Sequence, residues 1–165
     1  MGKNGSGAGS DQSRTRGGAI GQEAWRFIQG GDGYYAVSHP DDPEQFLSDL
    51  QAGGIVATNF RTFEQREASP QPKRMDGYPA DSNKVRFNWN APIVKSPHDG
   101  KVVYFAGNIL FKTTDWGKTW TAISPDLSKN DKSRQGDAGG PILKENTVAE
   151  YYGTIFSIEE SPVKA

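Results

Sequence analysis

The sequence predicts an all-β fold assembled from repeated four-stranded units. Three observations carry this: a hairpin signal between Asn108 and Trp120, a repeat of about 55 to 65 residues, and a composition rich in turn formers and aromatics. The 165 residues include 20 Gly and 10 Pro beside four Trp, six Tyr and eight Phe, which suits short strands joined by many turns.

The hairpin is the clearest local signal. Ile109, Phe111 and Thr113 alternate with Leu110 and Lys112, as in a half-buried strand. Thr114-Asp115-Trp116-Gly117 follows as a tight turn, where Asp bonds the backbone two residues on and Gly accepts positive φ. Thr119 to Ile123 is β-branched and aromatic again, which gives the second strand.

Taken in order, residues 1–22 show no period and read as a Gly/Ser/Arg-rich arm or interior loop. Met1-Gly2-Lys3-Asn4-Gly5-Ser6 formally fits a myristoylation pattern, but its Gly-rich flank reads better as an interior loop. The stretch 23–84 is a first unit. Glu23 to Ile28 is a short strand, Gly30-Gly31-Asp32-Gly33 a turn, and Tyr34 to Ser38 a strand broken by His39-Pro40.

Glu44 to Gln51 carries conflicting signals. Asp42 as N-cap, Pro43 as first helical residue and Gly53 as stop describe a short helix with Phe46, Leu47 and Leu50 on one side. The repeat requires a strand, aligning Phe46 and Leu47 with Val102 and Val103, and we take the strand. Ile55–Thr58 and Phe63–Ala68 form a hairpin, and the proline-rich stretch 69–84 a loop. Residues 85–147 are a second unit holding the Asn108–Trp120 hairpin and a polar loop from Asp126. Residues 148–165 begin a third, with a strand at Ile155–Ile158.

The repeat is read from matched prolines. Val37-Ser38-His39-Pro40 resembles Val94-Lys95-Ser96-Pro97, a step of 57 residues (97 − 40). Ser69-Pro70 recurs as Ser124-Pro125 after 55 (125 − 70), and Ser161-Pro162 begins a third copy after 65 (162 − 97). Units of about four strands describe a β-propeller segment of two to three blades, the excess over the ~40–50 residues usual for a blade lying in the loops after Ala68 and from Asp126 to Thr147. Propellers close with four to eight blades, so the expectation is a segment of a longer chain that does not close by itself. An isolated open array would expose strand edges and be oligomeric or aggregation-prone.

Thr113-x-Asp115-x-Gly117-x-Thr119-Trp120 resembles the Asp box of BNR-type propellers, with all five positions filled. Arg86 to Pro92, Ser96 to Asp99, Ile123 to Leu127 and Glu145-Asn146-Thr147 are similar to a bacterial family of sortilin-like BNR/Asp-box propeller proteins. Asn4-Gly5-Ser6, Ser13 to Arg16 and Gly30 to Gly33 resemble interior segments of that family. The resemblance implies that Met1 is not a natural domain start and that the protein is exported. It also implies that the box is a structural turn, with Trp120 packed between blades. Members are often labelled glycosyl hydrolases, yet fold does not carry activity across such a family.

Chemistry has few anchors. The formal net charge is −1, from 19 basic and 20 acidic residues, which gives no field toward nucleic acid. There is no cysteine, hence no disulfide or thiolate metal site, and no apolar run reaches membrane-spanning length. A glycosidase needs two carboxyl groups flanking the bond. Asp32, between glycines, and Glu150, beside Tyr151 and Tyr152, are the candidates, though Asp32 reads better as a turn cap and Glu150 as an ordinary blade residue. Asn88-Trp89-Asn90 and Tyr151 suit sugar stacking and hydroxyl recognition, though Trp89 reads better as packing. A sialidase-type site requires three convergent arginines. Arg14, Arg16, Arg26 and Arg86 are present without a marking spacing. His39 and His98 read as turn residues, and Asp131 and Asp137 lack calcium-loop spacing. We expect no cofactor. The favoured reading is an exported ligand-binding or scaffold module for a glycan, peptide or protein, and the alternative is a glycoside hydrolase.

Overall fold

The computed structural model describes residues 5–9, 25–71, 77–149 and 151–164. Among the described residues, two four-stranded antiparallel sheets and one two-stranded sheet are joined by turns and three short 3-10 turns. The small sheet pairs β1 (Gly5–Gly9) with β2 (Trp25–Gly30). The first large sheet runs β3 (Ala36–Ser38), β4 (Gln45–Leu50), β5 (Gly54–Asn59), β6 (Glu64–Glu67). The second runs β7 (Ile93–Lys95), β8 (Val103–Ala106), β9 (Leu110–Thr113), β10 (Thr121–Ala122). In each large sheet, neighbours in sequence are neighbours in space.

Glu44 to Gln51 is essentially strand, as the repeat required. Asp42 does cap, but it caps a turn: its Oδ1 accepts from Glu44 N at 3.1 Å and its Oδ2 from Gln45 Nε2 at 3.0 Å. The local helix signal is spent before β4 begins. Gly53, read as a helix stop, lies in the tight β4–β5 connection with φ 74°. A Cβ there would fall 2.2 Å from the Phe87 ring, so only glycine fits.

The repeat alignment needs a correction of one residue. Val37 pairs with Leu47 and Leu47 with Ala57, while Val94 pairs with Tyr104 and Tyr104 with Lys112. Leu47 therefore matches Tyr104, and Phe46 matches Val103. The proline step of 57 already gives this match (47 + 57 = 104), because the two Pro-turns are equally long; aligning Phe46 with Val102 departs from that step by one. A slip of one residue exchanges the two faces of a strand.

That correction exposes how the sheets stack. The core joins Val37, Leu47, Ala57 and Ile55 of the first sheet to Ile93, Val103, Phe105 and Phe111 of the second. The ladder Val37–Leu47–Ala57 faces the second sheet, yet its counterpart Val94–Tyr104–Lys112 faces away from the first. The two sheets are stacked by translation, each offering opposite faces to its two sides.

The small sheet covers the other face of the first. Gly5–Gly9, expected as arm or loop, is a strand, because backbone pairing with β2 needs no side-chain pattern. A bulge at Ile28 turns both Ile28 and Gln29 inward. Thr58 and Gln65 donate to Ile28 O, and Ser48 donates to Gln29 Oε1. Arg26, on the same side of the strand, donates to Glu44 at 2.6 Å.

The C-terminal segment lies on the outer face of the second sheet without joining its ladder. The strand expected at Ile155–Ile158 is therefore an extended strap. Ile155 N donates to Gly107 O at 2.8 Å, and His98 Nε2–H donates to Ser161 O at 2.7 Å, so the strap runs the length of the sheet.

Candidate functional site

The starts of β3, β5, β7 and β9 lie at one end of the stack. The segments 31–35, 51–53, 83–92, 107–109, 126–149 and 151–154 gather there, so this end carries the longest loops. The opposite end carries the turns 39–44, 60–63, 96–102 and 114–120.

The long loops are anchored by Arg86, which is 2% exposed. Its guanidinium meets Asp126 Oδ2 at 2.8 Å, Ser128 Oγ at 3.1 Å and Gly153 O at 3.2 Å. Asp126 also accepts from Asn108 Nδ2 at 2.9 Å and Ser128 Oγ at 2.6 Å. Burial alone would raise the Asp126 carboxyl. The bonds from Ser128, Arg86 and Asn108 outweigh it and hold the group well below the usual carboxylate range. Burying a guanidinium is costly unless it is paired and bonded, and here it is both.

Beside this knot is a cleft of about 460 Å³ lined by Asn88, Ser128, Tyr151, Tyr152, Thr154 and Phe156 among others. Two of the expected binding residues, Asn88 and Tyr151, thus meet in one place. Asn88 is held by Thr154, to whose Oγ1 its amide donates at 3.2 Å. Tyr151 is buried, with its hydroxyl accepting from Asn83 Nδ2 at 2.8 Å and donating to Tyr78 O. It frames the cleft rather than offering a free ring, and the rings nearer solvent are Tyr152 and Phe156. Arg134 sits 5.7 Å from the Tyr152 ring centre. Trp89 packs on a small core of Ala52, Ala80, Val148 and Tyr151, and its carbonyl accepts from Ala52 N. Asn90 N donates to Asn88 Oδ1 at 3.4 Å.

Asp32 lies near the β4–β5 connection, its N–H donating to Gln51 Oε1 at 3.1 Å. Glu150 lies outside the described residues, as do Arg14 and Arg16. Arg26 and Arg86 serve different carboxylates, Glu44 and Asp126.

The sequence reading missed Asp49. It stands in β4, is 0% exposed, and its Oδ1 accepts from Tyr35 N at 2.6 Å. Its Oδ2 has no partner. Burial pushes the group up to about 7, against bonds from the Tyr35 and Tyr34 backbone. Tyr34 is raised by burial and by the charges of Asp32 and Asp49, while its bond to Trp89 lowers it. No pattern marks an acid inside a strand of otherwise ordinary alternation.

At the opposite end, Thr113, Asp115, Gly117, Thr119 and Trp120 form one bonded turn. Asp115 accepts from Thr119 N at 2.9 Å, Thr119 Oγ1 at 2.7 Å and Thr113 Oγ1 at 2.8 Å. Burial would raise its carboxyl, but these bonds pull it to about 2. His39 rests edge-on against Trp116, with ring centres 4.7 Å apart. Asp131 caps the Lys132–Arg134 turn, and Asp137 pairs with Lys144. Among the described residues no group of three His, Asp or Glu could hold a metal ion, and no helix is long and apolar enough to cross a membrane.

Comparison with protein-family models, with curated proteins and with solved structures gave no match. The geometry stands alone, and what it defines is an all-β protein of two stacked antiparallel sheets.

Proposed function

We propose that the chain is part of an exported β-propeller of the BNR/Asp-box kind, working as a binding or scaffold module for a glycan, a peptide or a protein. The observation that carries this is the translational stacking. Sheets that present opposite faces to their two neighbours can continue around a ring, whereas mirror-related sheets close into a pair. The Thr113–Trp120 turn adds the five Asp-box positions, with Trp120 reaching the preceding sheet.

Binding is favoured over hydrolysis by the state of the carboxyl groups. A glycosidase places two of them against the scissile bond. Asp49 is sealed from solvent, and Asp126 is occupied by Arg86, Asn108 and Ser128. The cleft at Asn88 instead offers an amide, hydroxyls and exposed aromatic edges, the chemistry of a recognition surface.

A glycan and peptide array, run beside a chromogenic-glycoside screen, tests this. The expected result is saturable binding that Tyr152→Ala weakens at least tenfold, without turnover. Turnover abolished by Asp32→Asn would replace the binding reading with the hydrolase.

A further inference from the structure

The two ends of the sheet stack carry unlike apolar faces, and the stacking rule says what each is built to meet. At one end is the outer side of β2. The bulge at Ile28 sends Arg26, Ile28 and Gln29 toward the first large sheet and leaves Trp25 and Phe27 on the far side. These rings are 55% and 59% exposed. At the other end is the outer side of the second large sheet, where Val94, Tyr104, Leu110 and Ile123 line a groove of about 290 Å³. Ile123 is 46% exposed. The strap covers part of this face through Ile158 and the Tyr104 hydroxyl, which donates to Glu160 Oε1 at 3.4 Å.

The free face is not an arbitrary surface. Its ladder Val94–Tyr104–Lys112 is the register counterpart of Val37–Leu47–Ala57, which within the chain is buried by a neighbouring sheet. The strap supplies one extended segment there and no ladder. Among the described residues, the small sheet at the other end has two strands where its neighbours have four. The two ends thus present different apolar faces.

We infer that the free face of the second large sheet docks the β1–β2 sheet of a second copy of this chain, Trp25 and Phe27 packing over Tyr104, Leu110 and Ile123. The contact is head to tail, so repetition yields a ring if the rotation closes and a filament if it does not. The inference rests on the stacking geometry and is independent of whether the cleft binds a ligand.

Light scattering coupled to size exclusion, with sedimentation velocity over a hundredfold concentration range, reads the outcome. Wild type is expected as multiples of 18.0 kDa. Phe27→Glu and Ile123→Glu should each be monomeric and still unfold in one cooperative transition, because both side chains are exposed within the chain. Trp25→Glu is the second variant of the β2 face should Phe27→Glu fail to fold. Mixing the Phe27→Glu and Ile123→Glu proteins is decisive: each retains one intact face, so they should form a one-to-one dimer and nothing larger. A wild type that stays at 18.0 kDa throughout overturns the inference, as does a mixture that stays monomeric, since that marks a symmetric contact. An assembly that survives both substitutions overturns it too, because the copies then meet elsewhere.

Discussion

The indole Nε1 of Trp120 donates to the carbonyl of Ala68 at 2.6 Å, tying the tight turn of the second sheet to the end of the first. Arg66 makes the return contact, donating to Gly117 O at 3.0 Å and Trp116 O at 3.0 Å. Residues some fifty positions apart thus clamp the sheets at the end away from the cleft. Trp120→Phe keeps an aromatic ring but removes the donor and shrinks the indole, and should cost at least about 1 kcal/mol, the net worth of one such bond. Urea unfolding measures it, and an unchanged midpoint would mean the ring alone makes the contact.

Gly117 is fixed by the same joint. Its φ is 71°, and an added Cβ would sit 3.1 Å from Ala68 Cβ and 3.3 Å from Ala68 O. Both the backbone conformation and the space refuse a side chain. Gly117→Ala should therefore cost more than the ~1 kcal/mol usual for such a conformation alone. Gly77→Ala, also at positive φ but with nothing within 4 Å, is the control that isolates the crowding.

Asp115 predicts an acid limb. Its folded carboxyl is pulled to about 2, below the ordinary 3.8. A depressed carboxylate stabilises the fold above its unfolded pKa and loses that contribution as pH falls through the folded value. Stability should thus drop between about pH 4 and pH 2 as the Thr113 and Thr119 bonds lose their charged acceptor. Asp115→Ala should lower stability by roughly 1–3 kcal/mol at pH 7. Asp115→Asn should flatten the acid slope, and an unaltered slope would remove Asp115 from its origin.

What the sequence made legible was local or periodic. The Thr113–Trp120 turn could be read because every group that closes it lies within eight residues. The strand at Gln45–Leu50 could be read because the repeat outweighed the Asp42 and Pro43 signals. The stacking direction hangs on whether Leu47 matches Val103 or Tyr104; the proline step of 57 selects Tyr104, and an alignment one residue short of that step hid it. Arg86 and Asp126 are forty residues apart, and nothing in either neighbourhood announces the pair. Asp49 was hidden for a different reason: a carboxyl in a strand reads as solvent-facing until the second sheet is placed over it.

The Arg86–Asp126 pair should be far more sensitive than the exposed pairs. Asp126→Ala strands a buried guanidinium and should cost about 3–5 kcal/mol, loosening the loops that form the cleft. Glu44→Ala, which breaks the exposed pair with Arg26, should cost at most about 1 kcal/mol. Equal losses in a denaturation series would show that Arg86 finds another partner.

Asp49 sets the opposite pH trend from Asp115. Its carboxyl is wholly buried, with one oxygen on Tyr35 N and the other unpartnered, and the group is raised to about 7 from an ordinary 3.8. Above the unfolded value, the unfolded chain releases this proton while the folded chain retains it. Stability should fall as pH rises from about 4 and level off above about 7, where both states are ionised. At 1.36 kcal/mol for each unit the full effect approaches ~4 kcal/mol, with relaxation around the buried group making ~2 the lower expectation. Asp49→Asn keeps an acceptor for Tyr35 N and supplies an amide where the second oxygen lies unpartnered. It should therefore abolish the slope and make the protein more stable at pH 8 than wild type, while leaving the two nearly equal at pH 4. Unfolding free energies from pH 4 to 8 decide the matter. A wild type as stable at pH 8 as at pH 4 would mean that Asp49 ionises freely, with solvent reaching the oxygen that the fold encloses.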